Sequence, residues 1–450
     1  MRMTRLSVQF AAITLICASA YAAEPEPTAV VYRAAKLIDG RGGEVLLDQI
    51  LVVKNQRIVA IGDADSIAIG ADAQIVDLGE STIIPGLINS HLHMAAPPDR
   101  AYAEALMKRN LYAGVTAIRS MGDDVRAISD LARSAQLGEI DGPDIGYAAF
   151  FAGPGFFQDR RLQASAQGLS IGEIPWMREI RADTDLPEAV TLARGAGVSG
   201  IKIYANLPAP RVAELVEQAH AQGLRAWAHG AVFPASSLDV AKAGADSLSH
   251  ICMMAYQGQP MPTQYHDRAD VDESRFEDEI PAPVQQVFKA MAERGSVLDA
   301  TVYVYETIER MRSQLPPGKG PPIYCSADLS RRLVAEAHRL GVAISAGTDA
   351  PAPLDQAFPA AFREMEILLD DAQMEPLQVL RAASWNGARG LGWEDQMGTL
   401  EVGKLANFVV LEKDPRTDLM GALRSVQRVV KRGRSYLRSD YEPIDLEQGR

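Results

Sequence analysis

Four of the seven histidines in this chain stand at the carboxyl ends of apolar, strand-like runs. His91 and His93 close IIPGLINSHLH, His229 closes LRAWAHG, and His250 lies in DSLSHIC. Two further runs carry an ionisable residue in the same way, Lys202 in SGIKIYAN and Asp349 in VAISAGTDA. Imidazole and carboxylate are the usual ligands of zinc and similar divalent ions. Residues two apart on a strand leave the same face, so His91 and His93 can reach one ion together. The ordered set His91, His93, Lys202, His229, His250 and Asp349 is a donor set for a two-metal hydrolytic centre.

Such a set works only if distant segments deliver it to one point. A parallel β/α barrel does this at the C-terminal face of its strands. Eight strands can be read along the chain, at 83–93, 113–121, 144–153, 200–206, 224–230, 245–252, 295–304 and 342–349. Helical stretches alternate with them. In 326–340 the residues Leu329, Leu333, Val334, Ala337 and Leu340 share one face. Both this segment and 209–222 are followed by Gly, a stop signal. The alternation predicts an α/β fold, a (β/α)8 TIM barrel over 85–395. Three connections, 154–187, 253–283 and 305–325, are long and rich in Pro, Gly and polar residues. Each follows a strand, so each is expected over the barrel mouth, where loops of that length are usually functional. The β-rich segments outside the barrel, 24–84 and 396–450, are expected to form one small β-sandwich from both ends of the chain.

Composition narrows the partners. With 450 residues, 47% hydrophobic and 23% charged, the chain is an ordinary globular protein of more than one domain. A net charge of −13 and the lack of a basic stripe exclude a nucleic-acid surface. A small-molecule substrate is the expected partner; self-association into a homo-oligomer is left open. Residues 1–23 read as a secretory signal: Arg2 and Arg5, an apolar stretch over 8–18, then Ala20-Tyr21-Ala22. That predicts export, to a bacterial periplasm, with no membrane span elsewhere. Bulky Ile16 before Cys17 argues against lipidation. Of the remaining cysteines, Cys252 reads as a packing residue, and nothing in the sequence shows that it meets Cys325.

Taken together, these motifs resemble the amidohydrolase superfamily, in particular its imidazolonepropionase-like and zinc prolidase-like (Xaa-Pro dipeptidase-like) members. The resemblance covers essentially all of the chain after residue 23. Its carriers are IIPGLINSHLH, IKIY, the paired AHG and DSLSH, AGTDAP, AASWNGARGLG and the late GTLEVGKLANFVVL. It implies two divalent ions, zinc by expectation, held by the six residues named above, with Lys202 carboxylated. Beside two cations an ammonium is repelled, whereas a neutral amine combines with carbon dioxide to give a bridging anion. A one-metal site with unmodified Lys202 is the fallback. Asp349 is the expected catalytic residue, accepting the proton of an activated water and passing it to the departing nitrogen.

The reaction implied is hydrolysis of an amide-type C–N bond, in a dipeptide, an N-acyl amino acid or a cyclic amide. A lactone, ester or phosphotriester hydrolase would use the same ligands. A deaminase of this kind pairs the fifth-strand His with a Glu, which HGAVF and SHICMM do not offer. A non-catalytic binding protein would be expected to have lost ligands. After Asp349, PAPLDQAFPAAF lacks a histidine common in prolidase-like members, so peptide specificity is not implied. Phe156, Phe157, Tyr204, Met253, Tyr256 and Tyr303 are pocket candidates; Arg119 could meet a substrate carboxylate or form a structural ion pair. The G-x-S-x-G match at 168–172 lies in a predicted loop, where a nucleophile elbow cannot form. His220 and His338 suit helix C-termini, and His266 reads as a surface residue.

Overall fold

The computed structural model describes residues 28–43, 45–158, 160–316, 319 and 324–444. The segment 1–23, read above as an export signal, lies outside the described residues. Eight parallel strands form a barrel: β1 (Leu87–Leu92), β2 (Val115–Ser120), β3 (Asp144–Ala152), β4 (Gly200–Ile203), β5 (Arg225–His229), β6 (Ser247–Ser249), β7 (Val297–Asp299) and β8 (Ala343–Ser345). Each pairs with the next in parallel register. Closure comes from backbone bonds between β8 and β1, from Ser90 N to Ala346 O at 2.8 Å and from Asp349 N to His91 O at 3.0 Å. Every residue of β1 and β2 is buried, as a parallel sheet covered on both faces requires. The fold is the (β/α)8 TIM barrel that the alternation predicts.

Helical periodicity places its elements well. Ala209–Ala221 and Ala327–Arg339 follow the predicted segments, and the Ser326 side chain caps the second by accepting from Leu329 N. Leu329, Leu333, Val334 and Ala337 are its buried face.

Several predicted strands shorten, 245–252 to Ser247–Ser249 and 342–349 to Ala343–Ser345 among them, and two more change further. The run 83–93 is not one strand. Thr82–Pro85 joins the second sheet and Leu87–Leu92 the barrel, with Gly86 between them. A Cβ at residue 86 would lie 2.1 Å from Thr116 Oγ1, so the crossing requires glycine. The run 295–304 shortens to β7, because Thr301 turns the backbone to φ 52° and a helix, Val302–Ser313, starts at once. Tyr303 therefore lies on a helix. Its first amides find a partner that no local pattern shows. The carboxylate of Glu364, on the helix Ala361–Asp370, accepts from Val302 N and Tyr303 N at 3.1 and 2.8 Å.

The second sheet draws on both ends of the chain, as expected. Val30–Leu37 pairs antiparallel with Leu46–Lys54, and runs parallel to Gln74–Asp77 and to Thr82–Pro85. Phe408–Leu411 joins Thr82–Pro85 from the far end, followed by Val426–Lys431 and Arg434–Leu437. Tyr32 and Phe408, 376 positions apart in sequence, meet edge to face at 4.9 Å. Among the described residues no helix is long and apolar enough to cross a membrane.

The long connections are more ordered than their composition suggests. The first contains the helix Arg160–Ala166 and a hairpin, Glu173–Ile174 with Met177–Glu179, that adds to the edge of β3. The second is a chain of short 3-10 turns, Ile251–Gly258, Tyr265–Asp267 and Glu273–Phe276. Cys252 is not a mere packing residue: it forms a disulfide with Cys325. This bond closes a 73-residue separation and ties the second connection to the third. Replacing both cysteines with Ser is expected to lower unfolding free energy by about 2–4 kcal/mol. Denaturant titration of the oxidised chain against the double variant checks this, and equal midpoints would refute it.

Candidate functional site

The six residues singled out in the sequence all lie at the C-terminal ends of barrel strands. His91 is on β1 with His93 just beyond it, Lys202 is on β4, His229 ends β5, His250 follows β6 and Asp349 follows β8. The barrel brings them together. The ring centroids of His91 lie 5.5 Å from His93 and 4.9 Å from His250, and those of His229 and His250 are 4.7 Å apart. One Asp349 oxygen stands 3.2 Å from Nε2 of both His91 and His93, and the other is 3.7 Å from His250 Nδ1. Ligand atoms of His91, His250 and Asp349 fall within 4.8 Å of one another, close enough to share a metal ion.

Local backbone conformation aims several of these groups. His250, Thr301 and Asp349 adopt φ of 72°, 52° and 53°. Left-handed non-glycine residues cost about 1–3 kcal/mol each and are tolerated where the surroundings enforce them. Here they end β6, β7 and β8 abruptly and turn side chains across the barrel mouth. Gly347, just before Asp349, has a separate constraint: a Cβ there would sit 1.9 Å from Asp299 Oδ1.

Asp299, at the end of β7, holds the site together from below. Its Oδ2 accepts from His91 Nδ1 at 2.6 Å, Ser249 Oγ at 2.9 Å and Arg119 Nη2 at 3.0 Å. Ser249 Oγ in turn accepts from Lys202 Nζ at 3.0 Å. Burial alone would raise the Asp299 pKa, but His91 and Arg119 bring it down to about 2. Asp123 plays the matching part for His93, 3.5 Å from its Nδ1, and is fixed by Met94 N and Ser120 Oγ. Thr301 Oγ1 lies 3.0 Å from His250 Nδ1. Carboxylates and hydroxyls on one ring nitrogen orient the other, the usual arrangement behind ligating histidines.

The charge states of His229 and His250 suit cation ligation. Burial pushes His250 down to about 3, and burial above all, with Lys202 nearby, holds His229 well below the usual imidazole range. Both rings are therefore neutral and able to donate a lone pair. Both nitrogens of His229 are buried without a hydrogen-bond partner, which is costly unless something else satisfies them. Lys202 is fully buried, and this desolvation, with Arg119 nearby and against the pull of Asp299, lowers its amine to about 7. Burial opposes the Asp349 carboxylate, but the neighbouring His91 and His250 and hydrogen bonds from His91 and His93 hold it well below the usual carboxylate range. Partial burial likewise opposes charge on His93, yet Asp123 and Asp349 push it up to about 10.

Other sequence candidates sort differently. Arg119 is buried with bonds to Ser90 O, Gly390 O and Asp299, and stacks on Trp227, so it is a structural cation. Tyr204 does border the site, its ring 3.7 Å from His229, and Phe156 packs on Tyr204 at 4.7 Å. Tyr256 packs on Phe233 and donates to Ala269 O, and Tyr303 belongs to a separate small apolar cluster. Exposed His266 stacks on Phe156, while His220 pairs with Asp246. Asp299, Asp123, Tyr265 and Arg268 were not singled out in the sequence. Asp299 carried a usable signal, an ionisable residue in the middle of the predicted apolar strand 295–304.

Glu364 gives the region a measurable pH dependence. Burial raises its carboxyl from 4.5 to about 8, against the pull of the Tyr303 and Val302 amides. The folded state therefore binds this proton more tightly than the unfolded chain. Its contribution is complete below about 4.5 and is lost as pH rises toward 8. Glu364→Gln should flatten stability against pH across that window. Chemical denaturation at several pH values checks it; an unchanged slope would exclude Glu364 as the source.

Comparison with known proteins places the chain. It is 27% identical to a 5-methylthioadenosine/S-adenosylhomocysteine deaminase of Caldanaerobacter subterraneus subsp. tengcongensis across 24% of this chain and 29% of that enzyme. It is 36% identical to an imidazolonepropionase of Rhizobium rhizogenes across 13% of this chain and 15% of that one. The chain thus spans less than a third of the length of these curated relatives. A solved Xaa-Pro dipeptidase with bound methionine superposes with a TM-score of 0.71 at 21% identity, covering 91% of this chain and 100% of that one, which shows a common fold. The sequence model of the amidohydrolase family matches residues 82–435, and the chain belongs to that family.

Proposed function

We propose that the protein is a metal-dependent amidohydrolase that hydrolyses an amide-type C–N bond. One observation carries the reading: four histidines and Asp349 converge, and His229 presents two buried ring nitrogens without a protein partner. This donor chemistry fits a divalent cation, zinc by preference. His91, His93, His229, His250 and Asp349 would hold one or two such ions, with Lys202 as a further ligand. The amine of Lys202, lowered to about 7, can react as the neutral base. Its lone pair attacks carbon dioxide, a proton leaves to solvent, and the resulting carbamate supplies an anionic ligand.

Bound ions would lower the pKa of a water and polarise the scissile carbonyl. The chain's own residues do the rest. Asp349, ionised and turned inward by its backbone, accepts the water's proton and returns it to the departing nitrogen. His91 and His93 are kept in one orientation by Asp299 and Asp123. Tyr204 and Phe156 wall the site on the His229 side. No nucleophilic serine is needed: Ser170 of the G-x-S-x-G match is exposed in a loop. A lactone or ester hydrolase on the same ligands is the second reading, favoured by the same metal-type donor set.

Purified protein should contain about two divalent ions per chain and lose turnover on chelation. Lys202→Ala should reduce metal content and turnover together. Asp349→Asn should keep most metal while turnover falls by roughly 10²-fold or more. Elemental analysis alongside a panel of dipeptides, N-acyl amino acids, cyclic amides and esters tests this. Full metal and full activity in Lys202→Ala would reduce the centre to one ion.

We also propose that the chain is exported. The Cys252–Cys325 disulfide supports this, since such bonds persist in oxidising compartments. Mass spectrometry of protein from the native host should find an N-terminus near Ala23, and an intact Met1 on cytoplasmic protein would refute export.

A further inference from the structure

We propose that Arg268 is the residue that recognises the substrate, by holding a carboxylate on the amine half of the scissile amide. The preferred substrates are then N-acyl amino acids or dipeptides with a free acid, rather than neutral or cyclic amides. The proposal rests on the amidohydrolase reading and narrows it.

Arg268 is 8% exposed, and its guanidinium is clamped between two rings, 3.6 Å from the centroid of Tyr265 and 3.7 Å from that of Tyr324. Nη1 donates to Tyr265 O at 2.5 Å, while Nε is buried with no hydrogen-bond partner. Among the described residues no carboxylate lies within ion-pair distance of it. A guanidinium withdrawn from water without an anion is expensive. Two flanking rings offset part of that cost and fix the plane of the fork. Planar, orientated and unpaired, it presents the geometry that binds carboxylate in bidentate fashion.

Its position relative to the metal-type cluster makes this a substrate contact rather than a remote anion site. The Tyr265 ring that touches Arg268 is also 5.6 Å from His229 and 5.5 Å from Tyr204. The Arg268 charge is one of those that depress His229. Both faces of the clamp are anchored to strand ends. Tyr265 N donates to Asn206 Oδ1 at 2.8 Å, just beyond β4. Tyr324 precedes Cys325, whose disulfide partner Cys252 stands two residues after His250, and Tyr324 O accepts from Val271 N at 2.7 Å. An amide whose carbonyl faces the histidines would therefore carry its acid toward Arg268, with its apolar part against Tyr204 and Phe156.

The test compares zinc-loaded wild type, Arg268→Met and Arg268→Lys on N-benzoylphenylalanine and its carboxamide, with metal content and thermal midpoint measured on each. Wild type should favour the acid in kcat/KM by about 10–100-fold, the scale of hydrogen bonds to a charged group, chiefly through KM. Arg268→Met should collapse that ratio toward one, and Arg268→Lys should restore part of it. Should Arg268→Met fold poorly, Arg268→Lys alone must still reduce the ratio, because a point charge replaces the fork. Calorimetric binding of the acid separates the two readings. Arg268-dependent binding without turnover of any amide would leave the carboxylate site standing and overturn the amidase reading. Turnover of amides with the same ratio in all three proteins, or no Arg268-dependent binding, would overturn the carboxylate site.

Discussion

The carboxylate of Asp299 is the constraint on which the site is built. A single oxygen receives His91, Arg119 and Ser249, and through Ser249 it reaches Lys202. These partners come from β1, β2, β6 and β4, while Asp299 itself ends β7. Five of the eight strands are therefore fixed in mutual register at one buried point. A buried ion pair of this kind adds little net stability, because desolvation offsets the attraction, but losing one member leaves an uncompensated charge. Its contribution is uniqueness: His91 can face only one way, and Lys202 can sit only where its charge is disfavoured.

The same layer explains why polar groups are tolerated in the core of a barrel. Arg119 and Trp227 stack and both donate to Gly390 O, in the helix Gly387–Leu391. Asn386 Nδ2 donates to Ile344 O on β8. The late AASWNGARGLG segment thus supplies acceptors and donors beneath the histidines rather than ligands among them. Above the histidines the chain does the opposite and leaves groups unpaired, His229 and the Nε of Arg268. In the layer below, Asp299, Arg119 and Asn386 each find at least one partner, whereas neither ring nitrogen of His229 does.

Order in the long connections has a related cause. Their composition reads as loop, yet the second is fixed at its start and along its first half. Cys252 joins Cys325, Asn206 holds Tyr265, and Arg268 lies between two rings. Apart from Arg268 on Tyr265, three positions away, none of these contacts is local, so no short window of sequence shows them. The overrun of the seventh predicted strand has the same origin: Glu364, more than sixty positions away, accepts the amides that start the helix at Val302.

By itself, the sequence determined the barrel and its functional edge. Strand periodicity, the helical faces and the chemistry of His91, His93, Lys202, His229, His250 and Asp349 are properties of short windows. The rule that strand ends share one face of a barrel then groups those residues without further information. Only the tertiary structure decided which polar residues pair with one another and which are left without an ionic partner. Arg119, on a predicted strand, is neutralised by Asp299, whereas Arg268, in a predicted connection, has no carboxylate within ion-pair distance among the described residues. That difference lies in the partners a side chain finds after folding, and pairing at a distance depends on the packed strands rather than on the residues beside it.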